Sequence, residues 1–312
     1  MTDQKSTHDQ VIISQGHASP ALVYLARLAP SSRRTMHSAL VQVVAMLGGA
    51  DVETMPWHKL RYEHLQAIRA KLAQRLAPAT ANRYLAAIRG VLRESYRLGE
   101  MPSDAYHMAR EVDNVKAGRE LAGRALDRGE LAALLDAARS DPTDAGTRDL
   151  AILAVAYAGG LRRTELANLQ RGDLTDDGET ISLQFVGKWN RQRTVYLDNG
   201  AAIALRAWLA WRGDEDGRLF YRGRKGGRLT RGAGLTAQAI FAMIKRRAAQ
   251  AGVENVAPHD LRRTFITDLL EADVDLATVA AMAGHSDPKT TARYDRRGER
   301  AKRAAAARLT LP

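Results

Sequence analysis

Apolar residues begin to recur at helical spacing from Ala21, first as Leu22, Leu25 and Leu28. They continue as Met36, Leu40, Val43, Val44 and Leu47, and the pattern breaks at Gly48-Gly49. Spacings of three and four put such residues on one helix face, so two helices are expected here. A third is expected over roughly Tyr62 to Leu76. Pro78 then precedes a fourth, which carries Tyr84, Leu85, Ile88, Leu92 and Tyr96, with Thr80 as its N-cap. A threonine hydroxyl there would take up a backbone N–H that the first turn leaves free. Residues 1–18 are polar and without a sustained period, which suits a flexible N-terminal arm. Residues 19–112 are expected to form a helical domain of four or five helices, and the charged stretch 113–124 a linker.

The pattern changes after the linker. Asp127 is expected to cap a helix that runs through Leu134 and Leu135, and Leu150 to Tyr157 reads as a strongly apolar helix ending at Gly159-Gly160. Two alternating segments, ISLQFV and RTVYL, flank GKWNRQ, the signature of an antiparallel hairpin. Helical spacing resumes over 200–212, 236–250, 260–271 and 275–283, and a last helix is expected from Pro288, a residue suited to the first helical position. The fold class is thus mostly α with two domains, the second (residues 125–312) being α+β with a small antiparallel sheet.

Charge narrows the partner. Lys and Arg number 47 against 35 Asp and Glu, a formal net charge of +12. Division near residue 123 leaves about +5 before it and about +7 after it, so both halves are basic. Two basic domains suit a polyanion, and nucleic acid is the expected partner. There is no cysteine, which removes disulfides and thiolate metal sites. No apolar run reaches membrane-spanning length, and the polar start MTDQKSTHDQ lacks a signal-peptide core. A cytoplasmic protein that does not engage a membrane is expected.

Several side chains suggest phosphodiester chemistry carried by the protein itself. Such a site needs a side-chain nucleophile, fixed positive charge for the non-bridging oxygens and a proton for the leaving oxygen. Arginine suits the oxygens because guanidinium offers paired planar donors and stays charged. Lysine and histidine can move protons, and tyrosine is a nucleophile once its own proton is withdrawn. Taken singly, each candidate has an ordinary alternative. Arg162 could be a solvated helix arginine, Lys188 a hairpin-tip charge and His285 a helix terminator after Gly284, while Tyr294 could be a core ring. His259 and Arg262, three apart, share a helix face, as a cap beside a surface arginine also would. Glu165 and Asp260 read as orienting or capping neighbours. His8, His17, His37, His58, His64 and His107 show no ligand spacing, so no metal and no cofactor is expected. Arg33, Arg34, Asn82 and Arg83, near expected helix starts, are candidates for DNA contact, with a solvated face as the alternative.

In order, the motifs resemble those of the tyrosine recombinase, or phage integrase, family. GGLRRTEL (residues 159–166) resembles the first arginine box, and VGKWNRQRTVYL the catalytic hairpin, although family hairpins often have a glycine and a second lysine where this chain has Trp189 and Arg191. HDLRRTF resembles the H-x-x-R box, and AGHSDPKTTARY the closing box. The resemblance implies that Arg162, Arg262 and His285 stabilise the transition state, Lys188 protonates the departing 5′ oxygen, and His259 accepts the proton of Tyr294. Arg191 and Arg193 are the alternatives to Lys188. It further implies a SAM-like core-binding domain before the catalytic domain, double-stranded DNA target sites, a Holliday junction and a synapsed homotetramer, with neither metal nor ATP. Ala304 to Ala307 and Leu309 form a small apolar stripe expected to dock on a neighbouring protomer. The rivals are a type IB topoisomerase and a helical DNA-binding regulator without activity; formation of a covalent protein–DNA adduct separates the second from an enzyme.

Overall fold

The computed structural model describes residues 19–116, 123–186, 192–223, 228–285 and 287–295. Its contacts divide the chain into two compact units, Met1–Glu120 and Leu121–Pro312, a division inside the stretch expected as a linker.

The first unit is helical. Its elements are α1 (Pro20–Ala26), α2 (Pro30–Met46), a short 3-10 turn (Trp57–Lys59), α3 (Tyr62–Arg75), α4 (Pro78–Arg97) and α5 (Ser103–Arg110). Helix α4 is the axis on which the others pack, because Ala81, Leu85, Ile88, Val91 and Leu92 are all buried on it. Gly90 lets α1 come close, since a Cβ there would run into the Tyr24 ring. Trp57 closes one end of this core and donates its indole N–H to the Val52 carbonyl at 2.9 Å. One expectation fails locally: Thr80 does not cap α4. The helix starts earlier, with Pro78 at the first helical position and Ala77 before it, so Thr80 falls inside the first turn.

The second unit is built around α7 (Asp144–Ala158), whose residues Ala151 to Ala156 are all buried. A helix apolar on most sides must be covered on most sides. Helices α6 (Arg128–Arg139), α9 (Asn199–Arg212) and α11 (Pro258–Glu271) supply that cover, with α8 (Arg163–Asn168) against its C-terminal end. Asp127 caps α6 as expected, accepting from Glu130 N at 2.8 Å while the Glu130 carboxylate accepts from Asp127 N at 3.0 Å. A three-stranded antiparallel sheet, β1 (Leu174–Asp176), β2 (Ile181–Val186) and β3 (Gln192–Leu197), is ordered β1-β2-β3. Register pairs Leu183 with Val195 and Phe185 with Arg193, so alternate residues of the expected hairpin reach the core. A second sheet pairs β4 (Tyr221–Gly223) with β5 (Leu229–Gly234). The chain continues through α10 (Ala237–Gln250), α11, α12 (Leu276–Ala283) and α13 (Pro288–Ala292), where Pro288 takes the expected first helical position. Among the described residues no helix is long and apolar enough to cross a membrane.

Candidate active site

The site forms where the turn after α7 meets the ends of α11 and α12. Gly160 has φ +56°, and a Cβ there would strike the Phe265 ring, so a glycine is required to reverse the chain beside α11. That reversal delivers Arg162 to the start of α8. Its backbone N–H donates to Glu165 Oε2 at 2.8 Å, its Nη1 to Glu165 Oε1 at 2.6 Å, and its Nη2 to the Gly284 carbonyl at 3.1 Å. Glu165 therefore both caps α8 and orients Arg162, which unites the two roles expected of it.

Arg262 occupies the middle. It is almost fully buried on α11, with Nη1 donating to the Gly160 carbonyl at 2.6 Å and Nη2 to the Ala283 carbonyl. One guanidinium thus ties the turn before Arg162 to the helix end before His285. Burial first, then the neighbouring Arg162 and Arg193, pull its pKa down to about 9, which still leaves it charged at neutral pH. The local charge is strongly positive: Arg162 and Arg193 both pair with Glu165, and Arg262 adds a third guanidinium beside them.

His285 follows Gly284, which adopts the left-handed conformation (φ +64°, ψ +45°) and ends α12. The His285 N–H returns to the Ala280 carbonyl at 2.9 Å, so the expected helix-terminating role is present. It coexists with a second one. The imidazole Nδ1 lies 2.8 Å from the Thr291 hydroxyl, and the ring stacks on Tyr294 with centroids 6.3 Å apart and planes 17° apart. Burial first, then Arg262 and Arg162, lower His285 to about 4, so it is neutral at pH 7. Tyr294 packs against the cluster of Phe265, Ile266, Leu270, Val279 and Ala283, and lies within electrostatic reach of Arg262.

His259 stands in the first turn of α11, one turn before Arg262. The residue is open to solvent, yet crowding of its ring, together with the charges of Arg262 and Arg263, holds it below the ordinary histidine range. Asp260 accepts from the N–H groups of Ala257 at 2.8 Å and Arg124 at 3.2 Å, a capping role as expected. Lys188, and Arg191 beside it, lie outside the described residues, as does the stripe Ala304 to Leu309.

Arg193 does not suit the alternative role of proton donor. Its Nη2 donates to Glu165 Oε2 at 2.9 Å and its Nη1 to the Met282 carbonyl at 3.1 Å, while the guanidinium carbon sits 5.0 Å from the centre of the Phe185 ring. It instead binds β3 to α8 and α12, and so holds Glu165 against Arg162. Its place in the hairpin sequence QRTVYL gave only its charge and its strand. Thr291 is the other residue that sequence reasoning passed over, since nothing in TTARY marks one threonine as buried against a histidine.

The four candidates in the first unit divide. Arg33 donates to the carbonyls of Leu25, Ala26 and Leu28 and so closes the end of α1, and Asn82 clips the backbone of Val115 in both directions at 2.7 and 2.9 Å. Arg34 and Arg83 are exposed, and Arg83 only touches the Thr80 hydroxyl at 3.1 Å. Among the described residues there is no group of three His, Asp or Glu able to hold a metal ion. His64 instead accepts the Arg61 N–H at the start of α3.

Two helical units with a small antiparallel sheet, and a cluster of arginine, histidine and tyrosine, belong to one class, the tyrosine-dependent DNA strand transferases. The chain is a member of the phage integrase family, whose sequence model matches residues 124–300, and its activity is site-specific DNA recombination. Tyrosine recombinase XerC of Alcanivorax borkumensis is 30% identical over 274 residues, covering 86% of this chain and 84% of that protein. Tyrosine recombinase XerC of Xanthomonas campestris pv. campestris is 32% identical over 263 residues, covering 82% and 74%. In fold, the chain resembles the XerH site-specific recombinase bound to palindromic difH substrate in a post-cleavage complex, with a TM-score of 0.68 at 21% identity over 92% of this chain and 87% of that one. It also resembles a lambda integrase dimer bound to a COC′ core site, with a TM-score of 0.68 at 16% identity over 89% and 93%.

Proposed function

We propose that the chain acts on double-stranded DNA by attack of the Tyr294 hydroxyl on a backbone phosphate. The new bond joins the tyrosine oxygen to phosphorus, the bond to the 5′ oxygen breaks, and a 3′-phosphotyrosine remains with a free 5′ hydroxyl. The observation that carries this reading is the joining of Arg162, Arg262 and His285 through three successive carbonyls or residues at the end of α12, with Tyr294 stacked on His285. A phosphate arriving there meets a surplus of fixed positive charge, which its own negative charge relieves. His259 takes the tyrosine proton, a task suited to a histidine held neutral near pH 7. Lys188 gives a proton to the 5′ oxygen. Because the ester conserves the energy of the broken bond, a 5′ hydroxyl from a partner strand can reverse the step, and the exchange needs neither metal nor ATP. Two such exchanges pass through a Holliday junction in a synapsed homotetramer.

The test is a nicked duplex suicide substrate in the presence of chelator, built on the sequence of DNA recovered in covalent linkage to the protein in cells. An adduct should form on Tyr294, and Tyr294→Phe should abolish it while DNA affinity stays within about twofold, as removing one hydroxyl leaves the phosphate contacts in place. An adduct on any other residue overturns the assignment.

A further inference from the structure

Thr291 is completely buried in α13, and both of its oxygens serve the residues around it. Its carbonyl accepts the Tyr294 N–H at 2.9 Å, and its hydroxyl lies 2.8 Å from His285 Nδ1. Among the described residues the hydroxyl has no other hydrogen-bond partner. A buried hydroxyl keeps its proton bonded where an acceptor is in reach, and here the acceptor is the imidazole. Nδ1 must then present its lone pair, so the single proton of the neutral ring sits on Nε2.

We infer that Thr291 is a positioning residue that fixes His285 as the Nε2–H tautomer and so makes a neutral imidazole a hydrogen-bond donor to the reacting phosphate. The opposite tautomer would turn a lone pair toward an anionic oxygen and repel it. The reason a neutral donor needs such help lies in the site itself: Arg262, Arg162, His259 and Arg193 all face His285 and resist a second proton on its ring. The same residue sets the spacing of the pair, since the hydroxyl holds the histidine and the carbonyl holds the backbone of the tyrosine three residues on. This inference rests on the proposed role of His285 as a phosphate donor, but its first test does not.

Nitrogen-15 spectra of the full chain, with His285 assigned by its loss in His285→Gln, report which ring nitrogen carries the proton. The proton is expected on Nε2, with Nδ1 as a hydrogen-bonded acceptor. Thr291→Val should shift the Nδ1 resonance and slow cleavage of the nicked duplex roughly tenfold, the worth of one buried hydrogen bond, while Thr291→Ser restores both. In a His285→Ala background Thr291→Val should slow cleavage no further. A wild-type His285 protonated on Nδ1 overturns the inference without any variant, and an undiminished loss in the His285→Ala background reduces Thr291 to packing. Failure of the Tyr294 adduct would sink the catalytic reading yet leave the tautomer result standing, so the two failures are distinct.

Discussion

At the scale of single residues, His285 links the proposed chemistry to stability. Its ordinary value is 6.5, and in the folded chain burial and the surrounding arginines bring it to about 4. As the pH falls through 6.5 the unfolded chain takes up a proton that the folded one refuses until about 4. Stability from this group is therefore complete above 6.5 and is lost between there and about 4. Replacing His285 by glutamine should flatten urea midpoints plotted against pH over that interval. The difference between the two proteins is the relevant quantity, because His259 is lowered too. Parallel curves would contradict the assignment. The residues proposed to carry the chemistry were legible because each sits in a short contiguous motif. Those that hold them were not: Arg193 meets Glu165 28 positions away, and its strand pattern gives no sign of which end of a helix it touches.

At the scale of elements, long amphipathic helices were the most legible part, since α2, α3, α4 and α9 each repeat their apolar residues over three turns or more. Several short elements without a motif proline or a clear apolar period escaped. Helix α8 has six residues and carries the motif with Arg162, while β1, β4 and part of β5 are too brief or too polar for a period of two to register. Helix α7 also begins at Asp144, six residues before its apolar run, because its first turns are held by charge. Asp149 there is fully buried and accepts from Arg148 Nε and Nη2 at 3.0 and 2.6 Å, from Arg246 Nη2 at 2.8 Å and from Arg247 Nε at 3.0 Å. Arg148 also reaches the Tyr221 carbonyl, so one carboxylate joins α7, α10 and β4. Asp149→Asn would leave the buried Arg148 without its counter-charge, and stability to urea should fall by about 3 kcal/mol. A loss below about 0.5 kcal/mol, the scatter of ordinary surface substitutions, would show that the network is not what holds these elements together.

At the scale of the whole molecule, the excess of +12 becomes a statement about salt. Arginines that meet DNA phosphates release counterions, so each one removed should weaken binding evenly across sequences and lower the slope of log affinity against log salt by about one. The first unit offers a direct comparison on this point. Arg33 and Arg34 are adjacent in sequence, as are Asn82 and Arg83, and the sequence offers both members of each pair alike as candidates for DNA contact. The structure does not: Arg33 closes α1 through three carbonyls and Asn82 anchors Val115, whereas Arg34 and Arg83 face solvent. Arg34→Ala and Arg83→Ala should therefore lower the salt slope while leaving the urea midpoint unchanged. Arg33→Ala and Asn82→Ala should do the reverse, each costing about 1 kcal/mol of stability through unmade hydrogen bonds. Fluorescence anisotropy on the recovered duplex between about 50 and 200 mM salt, the range over which phosphate contacts dominate the response, separates the two outcomes. If the exposed pair leaves the slope unchanged, neither Arg34 nor Arg83 meets the phosphate backbone.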